Sequence, residues 1–300
     1  MPGARPLFPP EVQVQVKAIA CQLPKELGLP LSRLSRADLV RAVIRRGIAA
    51  QISGRTLGRW LDEDALRPWQ HRSWIFPRDP HFQTKAARVL DLYQGVWKGR
   101  ALGANDFVIS ADEKTSIQAR VRLHPTMPPR PRQPMRVAFE YERGGALAYL
   151  AAWDVRRARV FGRCESTTGI EPFGRLVRQV MEQEPYRSAR RVFWIVDNGS
   201  SHRGATSVKR LQSAYGNLRL VHLPVHASWL NQVEIYFSVI QRKVLTPNDF
   251  ASLTEVGQRL LEFQSFYEQA AKPIAWKFTR RDLKELVSKL KSPPPLPLAA

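Results

Sequence analysis

Three hundred residues, 44% of them hydrophobic, suit two or three domains with a sizeable core. Forty-seven Lys and Arg stand against twenty-six Asp and Glu, a net charge of +21. That excess excludes a neutral or acidic surface and points to a polyanionic partner, nucleic acid first. No run approaches the roughly 18 uninterrupted apolar residues of a membrane span. The amino terminus has no apolar stretch of signal-peptide length, so a cytoplasmic protein without a membrane partner is expected. Cys21 and Cys164 are the only cysteines, which excludes a disulfide framework and a Cys-rich zinc site.

Residues 1–10 are Pro-rich, and helix is expected from Glu11. "SRADLVRAVIRRGI" (35–48) spaces Leu39, Val40, Val43 and Ile44 as one helical face. After a polar turn, "ISGRTLGRWLDEDAL" (52–66) offers Ser53 as an N-cap before Leu57, Trp60 and Leu61. Helix, turn and helix fit a DNA-binding helix-turn-helix, whose second helix enters the major groove. Arg55 and Arg59 lie one turn apart on the face away from the apolar stripe. With Thr56 they are the expected DNA contacts. "PWQHRSWIFPRDPHF" (68–82) reads as a linker, and residues 83–97 as a connecting helix.

Strand texture then begins. "DFVIS" (106–110) leads into "ADEKTS"; "RVAFEYE" (136–142) and "ALAYLAAWD" (146–154) are expected to form a hairpin across Arg143-Gly144-Gly145. A helix over 170–184, a buried strand over 191–196, a helix over 204–215, a strand over 218–224 and a long helical remainder complete the set. Strands first, then alternating helices and strands, predict an α/β or α+β fold with a mixed central sheet. The expected division is a helix-turn-helix domain (1–67), a linker and connecting helix (68–105), a catalytic domain (106–291) and a Pro-rich tail (292–300).

Two strands run into an acid. Val192-Phe193-Trp194-Ile195-Val196 stops at Asp197, and Phe107-Val108-Ile109 at Ser110-Ala111-Asp112. Both acids are expected at or just past strand carboxyl ends, where open α/β sheets hold ligands. In "HASWLNQVEIYFSVIQRKVL" (226–245), Val233, Phe237, Ile240 and Val244 form a buried stripe with Glu234 at its edge. An Asp at a strand end also serves as a helix cap, and a lone surface Glu is commonplace. Three hard oxygen ligands converging on one cleft are what Mg²⁺ chemistry requires. Two such ions about 3.5–4 Å apart activate an attacking oxygen and stabilise the departing one. An acidic centre within a strongly basic chain fits cutting of a polyanion.

The blocks "ISADEKTSIQAR", "FWIVDNGSSHRG" and "HASWLNQVEIYFSVIQRKVL" resemble the three catalytic blocks of the IS630 transposases, within the Tc1/mariner group of DDE transposases. The Asp197-Asn198 pair, His202 and the Leu-Asn-Gln-Val-Glu run of 230–234 carry the likeness, with thirty-six residues between Asp197 and Glu234. The resemblance implies a ribonuclease H-like mixed sheet flanked by helices and preceded by a small all-α helix-turn-helix domain. It implies Asp112, Asp197 and Glu234 as catalytic, metal-binding residues for two Mg²⁺, with Mn²⁺ able to substitute, and auxiliary roles for Asn198, His202 and Asn231. The implied reaction is phosphodiester hydrolysis at the element's ends, followed by attack of the freed 3′-hydroxyl on target DNA. Implied partners are duplex DNA, as terminal inverted repeats and target, and a second copy of the chain on that DNA, in a nucleoid-associated setting. The family commonly carries two helix-turn-helix units, of which only the second is visible here.

Two rivals use the same residues: a ribonuclease H-like nuclease or resolvase without strand joining, and a DNA-binding regulator with an inactive nuclease domain. A loop hydrogen bond accounts for His202 as well as a role near the site does. His222 and His226 lack an acidic companion pattern, Trp229 reads as packing, and Ser200 and Ser201 lack the partners of a serine hydrolase.

Overall fold

A computed structural model describes residues 8–71, 77–199 and 205–291, and the chain divides into two separately packed units between residues 75 and 76. The smaller unit is helical. Helix α1 (Pro10–Ala20) and a 3-10 turn (Pro24–Leu27) precede α2 (Arg36–Arg45) and α3 (Gly54–Glu63). Both later helices begin where their caps dictate. Ser35 accepts from the Asp38 N–H while Asp38 accepts from the Ser35 N–H, and Ser53 accepts from the Thr56 N–H. Val16, Leu39, Val43, Leu57 and Leu61 form the core. The inward face of α2 is Leu39, Ala42 and Val43; Val40 is half-buried and Ile44 exposed, because the stripe follows i, i+3, i+4 from Leu39.

Helix α4 (Phe82–Tyr93) opens the larger unit. Although sequence placed it between domains, Phe82, Ala86, Val89, Leu90 and Leu92 are buried in the same apolar cluster as the sheet. The prolines before it mark a bend, and the helix belongs to the body. A short two-stranded ribbon follows, β1 (Val96–Trp97) and β2 (Arg100–Ala101).

The main sheet contains β3 (Asp106–Arg122), β4 (Tyr141–Asp154), β5 (Arg159–Glu165), β6 (Arg191–Val196) and β7 (Leu218–His222). Their order is β5-β4-β3-β6-β7; β4 runs antiparallel to both of its neighbours, β5 and β3, and β6 and β7 join parallel to β3. The sheet is therefore mixed, as expected. The expected hairpin across 143–145 is corrected: β4 runs straight through Gly144 and Gly145 and pairs with β3 on both sides of them. The two glycines accommodate a bulge instead of a turn. Pairing passes from Gln118↔Ala146 to Arg120↔Arg143, which leaves an extra residue on β4 opposite Ala119. A Cβ on Gly144 would lie 3.2 Å from the Ala119 Cβ, and Gly145 has φ +91°.

Helices α5 (Ile170–Met181) and α6 (Ala205–Ala214) follow, the first with its Phe173-Leu176-Val177-Val180 stripe buried on one face of the sheet. The other face carries α4, α7 (Val233–Lys243), α8 (Leu253–Glu268) and α9 (Arg280–Lys291). On α7, Val233, Phe237 and Ile240 are buried together with Tyr236, and Val244 only partly. No helix among the described residues is long and apolar enough to cross a membrane.

Candidate active site

Strand β3 carries the first acid, though not at its end. Asp112 sits inside a 17-residue strand and pairs with Ala151 of β4, which supports β3 well beyond the acid. What ends near Asp112 is the neighbour on the other side: β6 pairs with β3 only as far as Ser110↔Ile195. Continuing that register by two residues sets Asp197 opposite Asp112, across the roughly 4.8 Å that separates neighbouring strands. Asp197 closes a turn of its own, its Oδ1 accepting from the Gly199 N–H at 2.7 Å. The third acid, Glu234, lies in the first turn of α7 and is half-buried.

A mesh of hydrogen bonds fixes where α7 starts. Ser110 donates its hydroxyl to Asn231 Oδ1 and accepts from the Val233 N–H at 3.0 Å. Tyr93 Oη donates to the Leu230 carbonyl at 2.7 Å and accepts from the Gln232 N–H at 3.2 Å. Asn231, 1% exposed, donates through Nδ2 to the Ala111 carbonyl and to Asp112 Oδ2, each at 3.0 Å. The loop ahead of α7 is held as well, because buried Asp79 accepts from the Val225 N–H and binds Lys85 at 2.8 Å. Asp112 Oδ1 accepts from the Glu113 N–H.

The acids feel one another. Burial pushes the Asp112 carboxyl up to about 7, and the charges of Asp197, Glu113 and Glu234 add to it against the Glu113 N–H hydrogen bond. Glu234 is raised too, by burial first and by Asp197, with Lys114 opposing. Three carboxylates on three elements thus share one neighbourhood that resists holding all their charge. Among the described residues no three His, Cys, Asp or Glu side chains already form a closed cage for a metal. An all-oxygen set of mutually repelling carboxylates still fits a hard divalent cation, which takes one or two carboxylates and leaves positions for water and phosphate.

Residues 108–256 match the DDE superfamily endonuclease family. The DDE endonuclease match lies wholly within the larger unit and contains all three acids. By structure the chain is similar to a pre-cleavage Mos1 transpososome, at TM-score 0.56 and 15% identity, over 97% of this chain and 82% of that one. The Mos1 mariner paired-end complex with Mg matches at TM-score 0.54 and 15% identity, over 96% and 80%. The corresponding complex with Mn matches at 0.51 and 16%, over 88% and 79%. The shared fold is ribonuclease H-like, a mixed five-stranded sheet flanked by helices. No curated protein matches the chain by sequence.

Of the other expected site residues, Asn231 reaches Asp112, whereas Asn198 turns away and donates to the Leu223 carbonyl at 2.9 Å. His202 lies outside the described residues. Arg55 and Arg59 are exposed on α3, and the Thr56 hydroxyl is engaged with Ser53 at 2.9 Å. Trp229 packs edge-on against Phe278. Sequence reading missed Ser110, Tyr93 and Asp79. Only Ser110 left a signal, two positions before Asp112 and so on the same face of the strand.

Proposed function

We propose that the chain is a DDE transposase of IS630 type, which cuts DNA at the ends of its element and joins the freed 3′-hydroxyl to target DNA. The observation that carries this reading is the meeting of Asp112, Asp197 and Glu234 from β3, the end of β6 and α7 inside the DDE endonuclease match. The likeness of fold to Mos1 complexes with Mg and Mn supports divalent-metal use. Asp112, Asp197 and Glu234 would hold Mg²⁺ or Mn²⁺, two ions in the reaction, which supply activation of the attacking oxygen and charge stabilisation at the leaving oxygen.

The chain's own residues do the rest. Asn231 keeps one Asp112 oxygen oriented, and the Ser110–Tyr93 mesh sets the distance from α7 to β3. In the first step a water gives up a proton as its oxygen bonds to phosphorus, the P–O3′ bond breaks, and the departing 3′-oxygen takes up a proton. In the second, that 3′-hydroxyl loses its proton as its oxygen bonds to a target phosphorus, the target P–O3′ bond breaks, and the displaced target 3′-oxygen takes up a proton. Arg55, Thr56 and Arg59 of the smaller unit are assigned to end recognition, and two copies act together on paired ends.

Replacing Asp112, Asp197 or Glu234 singly by Ala should abolish Mg²⁺-dependent strand cleavage while duplex binding persists. A variant that keeps more than a few per cent of wild-type cleavage removes its residue from the set. Hydrolysis by the wild type with no joined product on paired-end DNA would reduce the reading to a nuclease.

A further inference from the structure

The β3 edge vacated by β6 is taken up again farther along. Asn248 accepts from the Arg120 N–H and donates to the Gln118 carbonyl, and the Phe250 N–H donates to the Arg120 carbonyl. Between Ser110 and Gln118 this edge opens into a groove of about 450 Å³, bounded on its far side by Gln241 and residues 245–248. The groove carries Lys114, Arg120 and Arg122 and no acidic side chain. None of the three has a salt bridge among the described residues, although Lys114 is close enough to lower the pKa of Glu234.

The arginines are held in place without being neutralised. Arg122 donates from Nε to the Asn248 carbonyl and from Nη1 to the Ala138 carbonyl. The Arg120 and Arg122 guanidiniums sit 4.8 and 5.1 Å from the Tyr141 ring centre. Arg120 Nε is buried with no hydrogen-bond partner among the described residues. Across the strand pair Arg120 faces Arg143, another cation. Like charges directly opposite destabilise a sheet unless something offsets them.

We propose that this groove is a backbone site for DNA, in which Lys114 and Arg120, with Arg122 behind them, take phosphates of the strand leading away from the acids. The inference rests on the reading of the acids as a DNA-cutting centre. Nucleic acid is favoured over an acidic protein because the three cations follow one another in a file along the open edge of β3, lining one groove from both faces of the strand. From Lys114 to Arg122 that file spans about 25 Å at roughly 3.3 Å per residue, long enough for several consecutive phosphates. The site is blind to sequence, since the aromatic ring beside it is covered by arginines and offers no platform for a base.

The test compares the full chain with Lys114→Gln/Arg120→Gln, titrating a random-sequence duplex by fluorescence anisotropy across a salt series. Each phosphate contact contributes about 0.9 to the slope of log K against log salt. The double variant should bind about tenfold more weakly at low salt, with a slope shallower by about 2. Arg120→Lys keeps the point charge and should keep the slope. Exposed Arg156 and Lys272 serve as the charge-matched control, Arg156→Gln/Lys272→Gln, which should change neither quantity. An unchanged slope in the groove variant, or an equal loss in the control, overturns the proposal. So does a variant that loses poly-glutamate binding while keeping duplex binding. Cleavage by the wild type on the same duplex with Mg²⁺ is scored separately: its absence sinks the reading of the acids and leaves the groove result standing.

Discussion

Asp112 is the residue on which the chemistry and the stability of the larger unit meet. In the folded chain its carboxyl keeps a proton up to about pH 7, against 3.8 when unfolded. Folding therefore binds a proton across that window, and this contribution to stability is full below about pH 4 and lost as pH rises through about 7. Melting in the presence of a chelator should fall by several degrees from about pH 5 to about pH 8, and Asp112→Asn should flatten that slope. A melting temperature rising over the same range in the wild type, but not in the variant, would contradict the sign. Asn231 is tested differently. Asn231→Ala removes the donor that orients Asp112, so cleavage should drop about 10–100-fold and need more Mg²⁺ to saturate. A drop that no metal concentration relieves, with an unchanged metal midpoint, would make Asn231 a folding residue only. Asp197 was conspicuous as an acid closing an apolar strand, whereas Asp112, expected at a strand end, lies inside β3. The mesh behind them was not legible, because Tyr93 meets residues 230 and 232 across well over a hundred positions of chain.

At the scale of elements, close approach decides what the sheet tolerates. A Cβ on Gly162 of β5 would fall 2.0 Å from the hydroxyl of buried Tyr149 on β4. Gly162→Ala must therefore displace Tyr149, which also stands 3.3 Å from the Tyr236 hydroxyl on α7. Overpacking of this kind costs about 1–3 kcal/mol, and the loss should be read as a lower denaturation midpoint. Tyr149→Phe in the same chain should recover part of it; failure to recover any would place the strain elsewhere. Strand β6 and the Ser53 cap of α3 were plain in the sequence because local chemistry sets them. Gly144-Gly145 misled because a glycine pair suits a turn and a bulge alike, and only the partner strand decides. Helix α4 was misplaced for a related reason: prolines before a helix mark a bend without saying which side of it is domain.

For the whole molecule, the charge and the cutting site should be separable. The larger unit contains the acids and the groove, so residues 77–291 alone should nick duplex DNA with Mg²⁺ while losing sequence preference. Residues 8–71 should bind without cutting, and Arg55→Ala or Arg59→Ala should weaken that binding. For the full chain, six to ten phosphate contacts would cost about 10³–10⁵ in affinity between 50 and 200 mM salt. A fragment 77–291 that discriminates element ends as well as the full chain does would take recognition away from α3.

Strand β3 has one more property. Pairing passes from Lys114↔Tyr149 to Ile117↔Leu147, so β3 holds an extra residue at Thr115–Ser116, with Ser116 at φ +58°. Before it, even-numbered Val108, Ser110 and Asp112 face α7; after it, odd-numbered Ile117 and Ala119 do. The insertion works as a parity switch: it lets a single strand turn a carboxylate inward at one end and arginines outward at the other while the core stays continuous. Deleting Ser116 would close the bulge into plain alternation, with the Lys114↔Tyr149 and Ile117↔Leu147 pairs kept, Ile117 and Ala119 still in the core and Gln118 and Arg120 still outside it. The spacing between the acid and the basic track is then a quantity that can change by one residue at the bulge, and elsewhere along the strand only by two.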